Sequence, residues 1–592
     1  MTRRTAGWLL VALLVVLPGA ARAAVDLQEQ NLTVDLTIDG STLNVVAEAR
    51  VLVSSSSSRI IFLATAMPVV SATWDGTPVT TETTTMSGYD VLVVTLPATV
   101  PAGTEGVLRV ELDGAPNCVL PPSYESCRRT ADVTYMLPPW NYFSWYLYNI
   151  ETSTADVSPG RIDLLLPTGH RAAAMGVVPT VTDNADGTST WSFVIDAPTE
   201  QFAFAAGAFE EVVADVGGFP ARGLFEAGTG RADLTRMMIE DASLLAPVFA
   251  DLWGAPPIEE VQYVVAPGHT PFAGTEFQGM ILLNDIVFDP AVAYLLPETA
   301  HELGHLWWGS MTSGLRDAEV GFFSESLAEY ALWRGLGEVK GVATRTSGVR
   351  MNAVWYMYRR PTSGDVPVLS DPRTTLGVYA VYHKGSCVAR TLEQAAGVAA
   401  FDAGLRAMID AGPMGATVAG LLAAIRDAGG PDLTPYVTKW MNGTGFPLLT
   451  VETTTAAAAT GGFDVTVHVT GDDFPLRLPV AVRLGDGTAV QGVIDYAAGA
   501  GETTLHAAER PAAVELDPDW SAVREIHSML LGDVTLDGRV DGADLLEVAL
   551  RIGGFLPDTR RVDGAYDPLF DIDTSERIDN HDFLAVVAAA AL

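Results

Sequence analysis

Lysine is nearly missing from this chain: only Lys340, Lys384 and Lys439 are present. Positive charge is scarce altogether. There are 35 Lys and Arg against 72 Asp and Glu, a formal net charge of -37 over 592 residues. A surface so acidic repels phosphate backbones and anionic lipid heads, which argues against nucleic acid and membrane surfaces as partners. Cysteine is as rare, with three residues. Cys118 and Cys127 flank a short Pro-rich loop and are expected to pair in an oxidising compartment. Cys387, in an apolar context, reads as a small core residue. Long apolar runs are lacking beyond the N-terminus. The one at residues 8–17 is too short to span a bilayer. It follows Arg3 and Arg4, is broken by Pro18 and Gly19, and leads to Ala21-Arg22-Ala23. This is the pattern of a signal peptide, assigned to residues 1–23, and it predicts a mature protein that is secreted or periplasmic, with no membrane span.

What is present suffices for several cores. The chain is 48% hydrophobic and 18% charged, and its length suggests several domains. Residues 24–214 show short alternating runs broken by Gly, Pro and Asp, as expected of an all-β domain. Helical periodicity starts after Gly230 and dominates residues 215–447. Alternation returns in residues 448–527, which read as a small β-sandwich. Residues 528–592 form a separate unit with an internal repeat.

The densest chemical signal is His301-Glu302-Leu303-Gly304-His305. On a helix, positions four apart share a face, so two imidazoles can meet one metal ion. Pro297 and Glu298, just upstream, favour helix entry. Glu302 sits beside the pair, where it can act as general base on a water and then as proton donor to the leaving amine. A catalytic zinc needs three protein ligands and an open position. Glu325, in the helical run Ser324-Glu325-Ser326-Leu327-Ala328-Glu329-Tyr330, is the expected third ligand. Glu329, one turn on, is its rival and is assigned instead to orienting an imidazole.

These residues, with Leu306-Trp307-Trp308-Gly309 after the second His, resemble the aminopeptidase N family of gluzincin zinc metallopeptidases. That family places eighteen residues between the second His and the Glu; this chain has nineteen. Tyr382-His383-Lys384-Gly385 is similar to the family's Tyr-x-Lys-Gly. The resemblance implies that the Tyr382 hydroxyl donates to the oxyanion of the tetrahedral intermediate. Ala273-Gly274-Thr275-Glu276-Phe277 resembles the family's Gly-x-Met-Glu-Asn strand, which lies beside the substrate. It implies substrate binding by Gly274 and Glu276, the latter holding the peptide's α-amino group. The family's fold implies a thermolysin-like α/β plus helical catalytic domain at 215–447.

The C-terminal repeat spaces oxygen ligands as a calcium loop does. Asp533, Thr535, Asp537, Asp541 and Asp544 occupy loop positions 1, 3, 5, 9 and 12, with the Arg539 carbonyl at 7. Asp571, Asp573, Ser575, Arg577, Asp579 and Asp582 repeat the pattern. Each loop leads into an apolar stretch, 545–552 and 583–590. The pair resembles a dockerin module, which implies an EF-hand-like tail holding two structural Ca2+ and docking onto a cohesin-type protein.

The sequence therefore predicts a multidomain α+β protein: an exported zinc aminopeptidase with one catalytic Zn2+ and peptide substrates. An endopeptidase of the same zinc chemistry, and a calcium-dependent binding or scaffold protein with an inactive peptidase body, are the alternatives.

Overall fold

The computed structural model describes residues 25–525, apart from segments at 38–40, 87, 121–123, 126, 131, 139–142, 151–155, 257, 267–273, 285–294, 311–318, 371–376, 378 and 413–414. Beyond 525 it describes only 548 and 584. The described chain forms two compact units. The first comprises the described residues up to Ala250 with those of Ala255–Asp289 and Leu295–Asp317.

Its N-terminal part is all β. Val25–Asp35 runs antiparallel to Leu43–Val53 and parallel to Ser158–Pro167 within an eight-stranded sheet. Leu43–Val53 shows why. Leu43, Val45, Ala47, Ala49, Val51 and Val53 are fully buried, whereas Glu48 and Arg50 between them are exposed. Period-two alternation of this kind pins the register, because a one-residue slip would turn every apolar side chain outward. Phe204–Gly207 pairs with Val133–Met136 in a separate four-stranded sheet. Trp145 packs edge-on against Phe204 beneath it, at 5.2 Å between ring centroids. Cys118 and Cys127 form a disulfide.

A five-stranded sheet follows, in the order Phe209–Val216, Phe219–Glu226, Val261–Ala266, Met280–Asn284, Gly274–Phe277. Phe219–Glu226 and Val261–Ala266 are parallel. The helices Ala232–Ser243 and Leu245–Trp253 lie between them in the chain, forming the crossover that parallel pairing requires. Every residue of Val261–Ala266 is buried, as a parallel strand covered on both faces demands. Gly274–Phe277 is an antiparallel edge strand, joined to Met280–Asn284 by a two-residue turn. The helix Leu295–Gly304 then packs against these last two strands.

The second unit is helical and then β. Its helices include Leu327–Lys340, Val342–Ser363, Gly385–Ala396, Val398–Asp410 and Val418–Asp427. Among its described residues, π-helical turns occur at Phe322–Ser326, Ala380–Lys384 and Val437–Met441. Such turns are rare and recur at functional sites. Two three-stranded sheets close the described chain. One holds Leu449–Ala457, Phe463–Gly471 and Ala500–Ala507, the other Leu476–Arg483, Ala489–Tyr496 and Ala513–Leu516. Val465, Val467 and Val469 of one and Leu478, Val480 and Val482 of the other are fully buried, giving a β-sandwich core.

The architecture is thus multidomain α+β, with a β-sandwich and a helical region. One part of the expected fold is corrected. The C-terminal region that the structure describes is β-strand, ending at Ala513–Leu516, and not an EF-hand-like helical dockerin. The spacing of oxygen side chains identifies a potential ligand set, but it does not by itself fix a backbone, because such loops fold only with their ion. The loops at 533–544 and 571–582, with all their proposed calcium ligands, lie outside the described residues, as do residues 1–23 of the expected signal peptide. Among the described residues, no helix is long and apolar enough to cross a membrane.

Candidate metal centre

The helix Leu295–Gly304 carries Glu298 in its first turn and places Ala300, Leu303 and Trp307 on one fully buried side. These positions, spaced three and four apart, anchor the helix by apolar packing. The Trp307 ring meets Phe249 edge-on at 5.3 Å between centroids. The chain continues in helical register past Gly304, with the Trp308 amide donating to the Gly304 carbonyl at 3.0 Å.

This anchoring fixes the imidazoles. The Nε2 atoms of His301 and His305 face each other at 3.0 Å. His305 Nδ1 lies 2.8 Å from the Trp308 carbonyl oxygen. A carbonyl only accepts, so Nδ1 carries the proton and Nε2 of His305 presents a lone pair. Two imidazole nitrogens at this distance can share one proton or both direct a lone pair at one cation. The tetrahedral geometry of zinc separates its ligand nitrogens by roughly 3.3 Å, close to the observed spacing. A Glu325 carboxylate oxygen completes the set. The ligand atoms of His301, His305 and Glu325 all lie within 4.8 Å of one another. Two imidazoles, one carboxylate and a remaining corner match the donor set of a catalytic zinc, so the residues present fit that ion.

Glu302, on the same helix, is buried at 5% exposure. The edge strand comes so close to it that a Cβ on Gly274 would lie 2.7 Å from Glu302 Cγ. Gly274 is therefore needed for its lack of a side chain, and the strand backbone forms a wall against Glu302. Glu276, two residues along the same face of that strand, is 8% exposed. Its Oε1 accepts from the Gly279 amide at 2.6 Å and its Oε2 from the Ser310 hydroxyl at 2.7 Å. Among the described residues, no Lys or Arg forms an ion pair with it. Burial pushes its carboxyl up to about 7, against the pull of the Ser310 hydroxyl and the Gly279 amide. The turn that carries the Gly279 amide has φ +44° at Gln278 and +103° at Gly279, the left-handed pair that a two-residue hairpin requires.

Glu325 and Tyr382 both lie on π-helical turns of the second unit. These turns are bonded together, with the Ser326 hydroxyl donating to the Val381 carbonyl at 2.6 Å. Glu329 accepts from Trp333 Nε1 at 2.9 Å and Asn352 Nδ2 at 3.0 Å. Asn352 also reaches Ser386 Oγ and His383 Nδ1, which ties the Glu329 helix to the Tyr382 turn. Lys384 is fully buried, donating to the Gly443 carbonyl at 2.7 Å beneath the Tyr356 ring. Burial lowers its ammonium to about 8. Cys387 is buried. Ser310, Ser326 and Asn352 escaped the sequence reading, since small polar residues show their partners only once the chain is folded.

Fold, helix and donor set together define the class of this protein: a zinc metallopeptidase. Residues 262–440 match the family model described as the Peptidase family M1 domain. Solved structures share the fold. One is an M1 zinc metallopeptidase from Deinococcus radiodurans, at 21% identity and TM-score 0.56, with 73% of this chain and 97% of that chain covered. A mutant of an M1 zinc metallopeptidase from Deinococcus radiodurans, bound to a Tyr-Ser-Ala substrate, matches at 21% identity and TM-score 0.57, over 73% and 98%. A two-domain M1 zinc metallopeptidase mutant bound to L-tryptophan matches at 20% identity and TM-score 0.57, over the same shares. No curated protein matches the chain.

Proposed function

We propose that this chain is an exported aminopeptidase that removes N-terminal residues from peptides, with residues 1–23 as its signal peptide and Glu302, Tyr382 and Glu276 as its working side chains. The observation that carries this reading is the state of Glu276. It is a buried carboxyl with two neutral donors and no cationic partner among the described residues, on the strand that walls Glu302. A buried carboxylate of this kind lacks a positive charge, and the α-ammonium of a peptide supplies one. A peptide so anchored puts its first peptide bond, and not an interior one, at the metal centre.

His301, His305 and Glu325 would hold the zinc. When bound, zinc polarises the scissile carbonyl and lowers the pKa of a water toward neutrality. Glu302 takes the proton of the attacking water and returns it to the leaving amine. The wall formed by the Gly274 backbone keeps the Glu302 carboxylate from swinging away. Tyr382 donates its hydroxyl to the oxygen on which negative charge develops. Glu329, held by Trp333 and Asn352, stiffens the segment that presents Glu325.

The test is hydrolysis of Tyr-Ser-Ala, the tripeptide bound by a structural relative, against its N-acetylated form, with and without a chelator. The expected result is chelator-sensitive release of free tyrosine from the unblocked peptide alone. Equal cleavage of both peptides contradicts the exopeptidase reading.

A further inference from the structure

The turns bearing Glu325 and Tyr382 are joined one residue away from each. Ser326 follows Glu325 and is fully buried; Val381 precedes Tyr382 and is fully buried as well. The Ser326 hydroxyl donates to the Val381 carbonyl. Gly385, which opens the helix after Tyr382, presses on the same serine. A Cβ at Gly385 would fall on the Ser326 hydroxyl and lie 2.6 Å from its Cβ. The backbone of Gly385 is ordinary right-handed helix, with φ -61°. Glycine is therefore required there for space, not for conformation.

Both turns are also π-helical, so neither has the ordinary helix hydrogen-bond ladder to set the rotation of its side chains. The oxyanion donor must sit within a fraction of an ångström of its target to be effective. Something outside each turn must fix that position, and the Ser326–Gly385 contact is placed to do so. We propose that Ser326 is a positioning residue: through its hydrogen bond to Val381 and its close fit against Gly385, it locks the turn carrying Tyr382 onto the turn carrying Glu325. The proposal rests on the reading of Tyr382 as oxyanion donor.

The test is a double-mutant cycle between Ser326→Ala and Tyr382→Phe, measured on zinc-loaded enzyme with Tyr-Ser-Ala. Ser326→Ala is expected to lower kcat about tenfold, a misplacement effect, with KM within about twofold of wild type. In the Tyr382→Phe background the same change is expected to cost less than about twofold, because the donor it positions is already gone. Zinc content should stay at the wild-type level in both variants. A merely structural serine would produce the same loss in both backgrounds, and that outcome overturns the inference. So does an unchanged kcat in Ser326→Ala where Tyr382→Phe is slow. If Tyr382→Phe itself keeps full kcat, the reading of Tyr382 falls and takes this inference with it.

Should Ser326→Ala fail to fold, the contact can be tested from its other side. Gly385→Ala is expected to lower kcat about a hundredfold by driving the two turns apart. Adding Ser326→Gly, which moves the small residue to the opposite turn, should recover a large part of that loss. No recovery in a folded double variant contradicts the proposed lock.

Discussion

Glu276 and Glu393 are both buried, and their surroundings treat them in opposite ways. Among the described residues, Glu276, beside the zinc helix, has a backbone amide and a serine hydroxyl for partners, and burial pushes its carboxyl up to about 7. Glu393, in the helical region, is fully buried among Arg334, Arg345 and Arg390. Burial alone would raise it too, but the charges of Arg390, Arg345 and Arg334 and the Arg345 hydrogen bond outweigh burial and bring it to about 2. Arg334 also reaches Glu338 and Asp402, so one cluster ties the helices Leu327–Lys340, Val342–Ser363, Gly385–Ala396 and Val398–Asp410. A buried acid already supplied with cations serves the fold. A buried acid left without one is ready for a cationic ligand.

The comparison can be broken most forcefully at the chemistry. Glu302→Gln keeps the shape of the walled side chain but cannot take a proton. It is expected to lower kcat by about a thousandfold or more, some 4 kcal/mol, with zinc content and melting temperature unchanged. Stopped assays on Tyr-Ser-Ala check this, and activity within tenfold of wild type contradicts the role of Glu302. Next in size is Glu393→Gln, which removes the buried charge shared by Arg334, Arg345 and Arg390. It should destabilise the helical region by about 3–5 kcal/mol in denaturant unfolding, while folded enzyme at low temperature keeps its kcat.

The titration of the two glutamates gives opposite slopes. Glu393 has a folded pKa below its unfolded value of 4.5. Its contribution is therefore complete above about pH 4.5 and is lost as the pH falls toward about 2. Glu276 has a raised folded pKa, so it costs stability as the pH climbs from about 4.5 through about 7. In chelator-treated protein, the change Glu276→Gln should flatten the decline between pH 5 and 8, whereas Glu393→Gln should flatten the acid limb. Thermal melts across pH distinguish them. The smallest effect is on substrate binding. Glu276→Gln is expected to raise KM for unblocked peptides about 10- to 100-fold, the worth of a charge-assisted hydrogen bond.

The zinc helix was legible in the sequence because its information is local: two His four apart, Pro297 and Glu298 at its start, and an apolar side at Ala300, Leu303 and Trp307. Alternation in residues 43–53 was legible for the same reason. Glu325 was found, but not the π-helical turn that carries it, since one extra residue per turn leaves no mark on hydrophobic periodicity over five residues. Ser310, Ser326 and Asn352 were invisible, because each acts on a residue 23 or more positions away in the chain. Phe209–Val216 continues the alternation of the preceding strands, and only pairing shows that it belongs to the sheet beside the zinc helix. The dockerin-like tail was an overreach of motif spacing, for ligand order carries no information on what the backbone does without its ion.

The central claim is that His301, His305 and Glu325 form one zinc site. Elemental analysis of purified, folded protein tests it most directly, with His305→Ala and Glu325→Ala beside wild type. One zinc per wild-type chain is expected, with its loss in both variants and return of activity when zinc is added to chelator-treated wild type. Folded, active wild-type protein without a transition metal would contradict it.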